Sequence, residues 1–302
     1  MTTAILVVGT DAASVAAARF PRALTRAGAS VSLLCPSSSH ARHTRHVARV
    51  GVVSDESPPQ RWVEALFSLI DVAMPRAIAP ADEGALGLLI ALATTPPPAL
   101  RHERAAAHAK LMAFSLGPLD LVAARREPVE AVETTTYTHH VAAFDGRVLA
   151  SATAEHVVVD ARARPRPTVL RFCAHDGVAA LARHAVRDLR ASGCFSLDVA
   201  IEGDGGPRIV GVDRHVGASM HVPQWLGVDL AAAWLAALEG REYAGATGLP
   251  ASTSRHSVAF PQEWARDRAS PWLREQRVDV PWDDPDLLDS ILAEAVAASG
   301  GR

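Results

Sequence analysis

The chain has 302 residues, 49% of them hydrophobic and 21% charged, enough length and apolar content for two domains or for one large α/β core with additions. Its net charge of -3 gives no broad attraction to nucleic acid or an anionic membrane, so neither is expected as a partner. Cys35, Cys173 and Cys194 are scattered without CxxC or metal-finger spacing, which argues against a disulfide framework and a structural zinc site. The opening MTTAILVVGTDAA lacks the charged region of a leader peptide, and the most apolar run, Ala85 to Ala93, is too short to span a bilayer; a cytoplasmic protein is expected.

Ala4 to Val8 is a continuous apolar run ending at Gly9, followed by helical spacing from Ala12 to Gly28 and a second apolar run from Val31 to Cys35. The chain therefore opens as a βαβ unit with a parallel sheet. Its first turn reads GTDAAS, not GxGxxG, so a nicotinamide-dependent oxidoreductase ranks low. His40, His43 and His46 are interleaved with Arg42, Arg45 and Arg49. With no carboxylate or cysteine among them and cationic neighbours, they read as a solvated basic face rather than a metal site. Pro58 to Met74 has amphipathic helical spacing, and a short strand at Ala77 to Ala79 delivers Asp82 and Glu83 to the start of a helix running to Thr94. Acids at that place suit ligand binding at the carboxyl ends of an open sheet and equally suit the helix dipole.

Thr94 to Pro98, TTPPP, is the clearest linker and marks a domain boundary, giving domains at 1–98 and 99–302. Beyond it, a helix from His102 to Leu116 carries the sole lysine, Lys110. Thr134 to Val141 and Arg147 to Val159 form a hairpin about Asp145 and Gly146, with Glu130, Glu133 and Glu155 on or near it. The ARARPRP stretch, Ala161 to Pro167, reads as a loop, and Asp176 to Ser192 as an amphipathic helix. A second hairpin follows, in which Phe195, Leu197 and Val199 alternate with Ser196, Asp198 and Ala200, and Ile209 to Val212 lead back to Asp213. With its turn at Asp204 and Gly205, Asp198 lies opposite Gly211 and Asp213 one same-face step away, close enough to share a cation. A surface hairpin with solvated acids is the plainer alternative. A Gly217-Ala218-Ser219 loop, an apolar helix at Val228 to Leu238, tryptophans Trp264, Trp272 and Trp282 as packing anchors, and a helix from Pro285 to Ala298 complete the chain.

In this order, FSLDVAIEGDGGPRIVGVDRHVGAS, AFDGRVLA and HAKLMAFSLGP resemble the ATP-grasp superfamily of carboxylate-amine ligases over most of the chain. The resemblance implies an α/β fold in which an N-terminal Rossmann-like parallel sheet of the pre-ATP-grasp type precedes an ATP-grasp-like α+β region with antiparallel hairpins. It implies ATP and magnesium as cofactors. Asp198 matches the family's first-strand metal ligand, Asp213 stands at the motif's asparagine and His215 at its arginine with Arg214 one place early; Gly211 replaces the motif's glutamate. Lys110 matches the first phosphate-binding cation, and Lys110, Glu130, Glu133 and Asp198 are the nucleotide-binding candidates. Asp198 and Asp213 are the metal candidates, and Lys110, Arg214 and His215 the catalytic ones. The family's second lysine has no counterpart, so the nucleotide-binding region is shortened. Two functions stay open: an ATP-dependent ligase joining a small-molecule carboxylate to an amine through an acyl-phosphate, or a catalytically silent pseudoenzyme serving as a binding or scaffolding partner of another protein. A homodimer is compatible with either.

Overall fold

The computed structural model describes residues 2–94, 105–116, 134–162, 165–203 and 205–300. The first part of the chain alternates strand and helix: β1 (Ala4–Val8), α1 (Val15–Arg26), β2 (Ser30–Pro36), β3 (Arg49–Val53), α2 (Pro59–Ala73), β4 (Ala77–Pro80) and α3 (Glu83–Thr94). The strands form an all-parallel sheet in the order β3-β2-β1-β4. β1, β2 and β4 are unbroken apolar runs because the sheet is covered on both faces. Phe20 and Leu24 of α1 pack with Ile5, Val7 and Leu33 on one side, while Leu66, Ile70 and Leu89 of α2 and α3 pack with Leu6, Val8 and Ile78 on the other. Ser14 caps α1 by accepting from Ala17 N at 3.2 Å. Pro59 opens α2, and Met74 ends it in the left-handed region at φ 45°. The helix α4 (Ala105–Leu116), which follows the proline-rich stretch, lies against this same sheet: Met112 joins the α2–α3 core, and Ser115 Oγ accepts from Ile78 N at 2.8 Å.

The second part contains β5 (Thr134–Phe144), β6 (Arg147–Asp160), β7 (Arg166–Cys173), α5 (Asp176–Asp188), β8 (Gly193–Glu202), β9 (Arg208–Asp213), α6 (Leu230–Leu238), β10 (Ser254–Val258), α7 (Gln262–Arg266), α8 (Trp272–Glu275), β11 (Arg277–Val278) and α9 (Pro285–Gly300). Its sheet runs β11-β10-β7-β6-β5-β8-β9, with antiparallel neighbours except for the parallel β10–β11 pair. Asp145 and Gly146, both at positive φ, make the tight β5–β6 turn. Val178, Ala182 and Val186 of α5 cover one face over Tyr137, Val141, Phe195 and Leu197. On the other face, Ala142, Ala150 and Cys194 meet Trp234 of α6 and the α1 side of the first sheet, and Ala152, Ala154, Leu170 and Phe172 meet Val222 and Trp225. Thr136, Thr138, His156, Asp198 and Asp213 on this face are only half-buried.

Several expectations are corrected. The histidine stretch is only in part the solvated face expected: a 3₁₀ turn covers His40–His43, and the chain then extends into β3. The arginines are exposed, but His40 turns to α9, with Nδ1 2.7 Å from Ser290 Oγ and Nε2 against Glu294. His46 is held inward near Asp283 and Asp284, and burial pushes its pKa down despite those acids. Arg166 and Pro167, read as loop, begin β7. Trp282 is 76% exposed and anchors no packing, whereas Trp264 stacks on Phe260 and Trp272 meets His256. Residues 95–98 of the linker, Asp204, Arg164, Glu130 and Glu133 lie outside the described residues. No described helix is long and apolar enough to cross a membrane.

Candidate functional site

The β8–β9 hairpin supplies two carboxylates to one sheet face. Its register pairs Asp198 with Gly211 and Ser196 with Asp213, so both acids project to the same side as diagonal neighbours. Antiparallel pairing then places Thr138 of β5 opposite Asp198, and His140 opposite Ser196. The alternation that buries Leu197 and Val199 under α5 is what turns Ser196 and Asp198 the other way.

Around the acids runs a continuous polar row. Asp198 Oδ1 accepts from Thr138 Oγ1 at 3.2 Å, and the same hydroxyl lies 2.8 Å from His156 Nε2. His156 Nδ1 is 3.0 Å from Thr136 Oγ1. His140 bridges two serines, Nδ1 at 2.9 Å from Ser196 Oγ and Nε2 at 2.9 Å from Ser219 Oγ. Burial lowers the pKa of His156 to about 4 and that of His140 to about 3, so both rings are neutral at neutral pH and neither adds positive charge. These residues escape a reading of isolated motifs; the signal was the TTTYTHH alternation of β5, which gathers positions 136, 138 and 140 on one face. The loop after β9 closes on the first sheet, where Val216 N donates to Pro80 O at 2.8 Å.

The cationic candidates are Lys110 on α4 and Arg214 and His215 just past the end of β9. Lys110 is exposed on α4, one half-turn from His108, which bonds Asp71 at 3.1 Å near the C-terminal end of α2. Arg214 lines a narrow crevice with Pro80, Ser115, Gly193, Phe195 and Trp234 at the seam of the two sheets. His215 Nδ1 donates to Val216 O at 3.1 Å. Asp82 serves the chain itself: it accepts from Thr10 N at 2.8 Å, Thr10 Oγ1 at 2.8 Å and, as a helix cap, Ala85 N at 2.8 Å. Arg162 is held by Asp160 at 2.7 Å and is exposed. Among the described residues no group of three histidine, cysteine, aspartate or glutamate side chains is arranged to hold a metal.

A parallel α/β sheet followed by a mostly antiparallel sheet with helices packed on both faces, joined through one apolar cluster, is an α/β arrangement of ATP-grasp-like fold. Solved structures carry the comparison. The biotin carboxylase domain of 2-oxoglutarate carboxylase from Hydrogenobacter thermophilus, determined with MgADP and bicarbonate, is similar at a TM-score of 0.51 and 12% identity over 82% of this chain and 72% of that one. The L-amino acid ligase of Bacillus licheniformis is similar at 0.50 and 11% over 79% and 74%. Pyruvate carboxylase of Rhizobium etli is similar at 0.53 and 14%; the match covers 85% of this chain but only 30% of that one. At these identities the likeness is one of fold. No protein-family model matches the sequence, and no curated protein matches it.

Proposed function

We propose that the protein is a ligase-type member of the ATP-grasp class, in which Asp198 and Asp213 hold magnesium on the phosphates of ATP and the acceptors are a small carboxylate and an amine. The observation that carries this reading is the same-face placement of the two acids on neighbouring strands. The donor set fits the ion. Magnesium is commonly bound by one or two carboxylates, with waters and phosphate oxygens completing six positions, so the lack of a side chain at Gly211 removes one ligand without removing the site. Bound magnesium would neutralise charge at a transferring phosphoryl group. Asp198 and Thr138 would fix its position, and the neutral His140 and His156 would keep the neighbouring surface free of competing cations. The division at 98/99 belongs to the same proposal as a boundary along the chain, with α4 beyond it packed back on the first sheet.

A second reading is favoured by Gly211, which stands opposite Asp198 with no side chain to ligate a metal, and by the lack of a second lysine in the sequence. Phosphoryl transfer needs cations at the γ-phosphate, and a site short of one of them would bind without turning over. In that reading the protein is a silent binding or scaffolding partner.

Titration calorimetry with MgATP on the wild type and Asp198→Asn tests the first reading. Heat that the variant loses, together with ADP release requiring a small acid and an amine, is the expected result. Binding without ADP release for any acid and amine pair supports the silent reading, and no heat from the wild type removes nucleotide use at this hairpin.

A further inference from the structure

The hydrogen-bond row beside Asp198 has only one consistent direction. An ionised carboxylate accepts and cannot donate, and a hydroxyl has a single proton. Thr138, 3.2 Å from Asp198 Oδ1, therefore donates to the carboxylate and must accept from the ring nitrogen 2.8 Å away. His156 is thus protonated on Nε2, and its Nδ1 accepts from Thr136 Oγ1 at 3.0 Å. The order runs from Thr136 through His156 and Thr138 to Asp198, and each member is fixed by the next.

The scaffold beneath this row is rigid. Thr138 sits between Asp198 on β8 and Ala154 on β6 in the register, and Thr136 and Thr138 flank the imidazole of His156 from the neighbouring strand. Both threonines are β-branched and stiff about χ1. Burial keeps His156 neutral, with a pKa of about 4, so the tautomer that the row requires persists through the neutral range.

We infer that Thr138 and His156 are positioning residues that set the rotation of the Asp198 carboxylate for a divalent cation. The inference rests on the proposed role of Asp198 as a cation ligand. Partners behind a metal ligand of this kind commonly contribute about 10–100-fold to metal affinity by fixing the ligand's orientation.

The test uses Mn²⁺ as the probe, with ATP present, read by the paramagnetic resonance signal of the free ion. Thr138→Val is expected to weaken Mn²⁺ binding about tenfold, and Thr138→Ser, which restores the hydroxyl, to return it near the wild-type value. His156→Leu leaves Thr138 without its donor and is expected to weaken binding several-fold; should the valine variant fail to fold by circular dichroism, this variant carries the comparison. Unchanged affinity in folded Thr138→Val and His156→Leu, or a serine variant as weak as the valine one, overturns the inference while leaving the acids as ligands. Wild-type protein that binds no Mn²⁺, and is matched in this by Asp198→Asn, overturns the cation reading itself and the inference with it.

Discussion

Gly217 shows how tightly the polar row is closed. A Cβ at this position would lie 2.7 Å from Ser196 Oγ and 3.4 Å from His140 Cε1, the two groups that hydrogen-bond each other beneath the loop. Gly217→Ala is expected to displace one of them and lower stability by about 1–3 kcal/mol in urea denaturation. Adding Ser196→Ala removes the nearest atom, so the double variant should recover part of that loss. The histidines of β5 and β6 set a pH dependence of their own. His139 and His140 have pKa values lowered by burial to about 3, and His156 to about 4, from an ordinary value of 6.5. In the unfolded chain all three take up protons as pH falls through about 6.5, whereas in the folded protein they stay neutral until about pH 4, so the unfolded state binds more protons in between. Stability should fall as pH is lowered from about 7 to about 4, which the thermal midpoint reads directly; a flat midpoint would show the rings to be solvated. Asp279 acts in a lower window. Burial pushes its carboxyl up, but His221 and Arg19 together hold it below the usual range, so its contribution is lost only as pH falls below about 4.

Elements are held to one another by buried polar ties as well as by apolar cores. The start of α9 is fastened to the segment between the 3₁₀ turn and β3 through Asp284, which is 1% exposed and accepts from Thr44 Oγ1 and, at 3.2 Å, from Arg45 N. Removing its carboxylate leaves two donors unsatisfied, and Asp284→Ala should cost about 1–3 kcal/mol and raise amide exchange in α9 ahead of the strands. None of this was visible in the histidine and arginine spacing, because the partners of His40, Thr44 and Arg45 lie about 240 residues away. β7 was hidden for a related reason. Its Thr168, Val169, Leu170 and Phe172 are buried between β6 and β10, so no polar alternation marks it, and its start is masked by an arginine- and proline-rich run. β1, β2, α2, β4 and both hairpins were legible, because continuous apolar runs, helical periodicity and Asp-Gly turns are local signals. The alternation that puts both acids on one face was legible for the same reason, but the irregularity between Asp198 and Val199, which sets Asp198 opposite Gly211 while Val199 pairs with Ile209, was not; nor were Thr138 and His156, since they reach Asp198 only through strands 40 to 60 residues apart.

At the scale of the whole molecule, the two sheets share one core. Ile5, Val7, Phe20 and Leu33 of the first part form a single cluster with Ala142, Cys194, Trp234, Leu235, Leu287 and Ile291 of the second. Polar bonds cross the same seam, from Val216 N to Pro80 O at 2.8 Å and from Arg76 Nε to Leu238 O at 2.8 Å, and buried Arg19 on α1 pairs with Asp279 in the tail. Two separable folding units would share none of these, so the chain should unfold in one transition. Trp234 is 2% exposed in the shared cluster, and Trp234→Ala should cost about 3–5 kcal/mol. The sharper test is Leu66→Ala, because Leu66 is fully buried in the cluster formed by α2, α3 and α4 on the face of the first sheet remote from the second. Its loss, about 2–5 kcal/mol, should shift the entire urea transition without splitting it, and protection of the β8–β9 amides should fall by the same free energy as that of β1. A biphasic transition, or β8–β9 protection that ignores the substitution, would mean that the acid row is held by the second sheet alone. Coincident loss would mean that the geometry of Asp198 and Asp213 depends on packing across the first sheet.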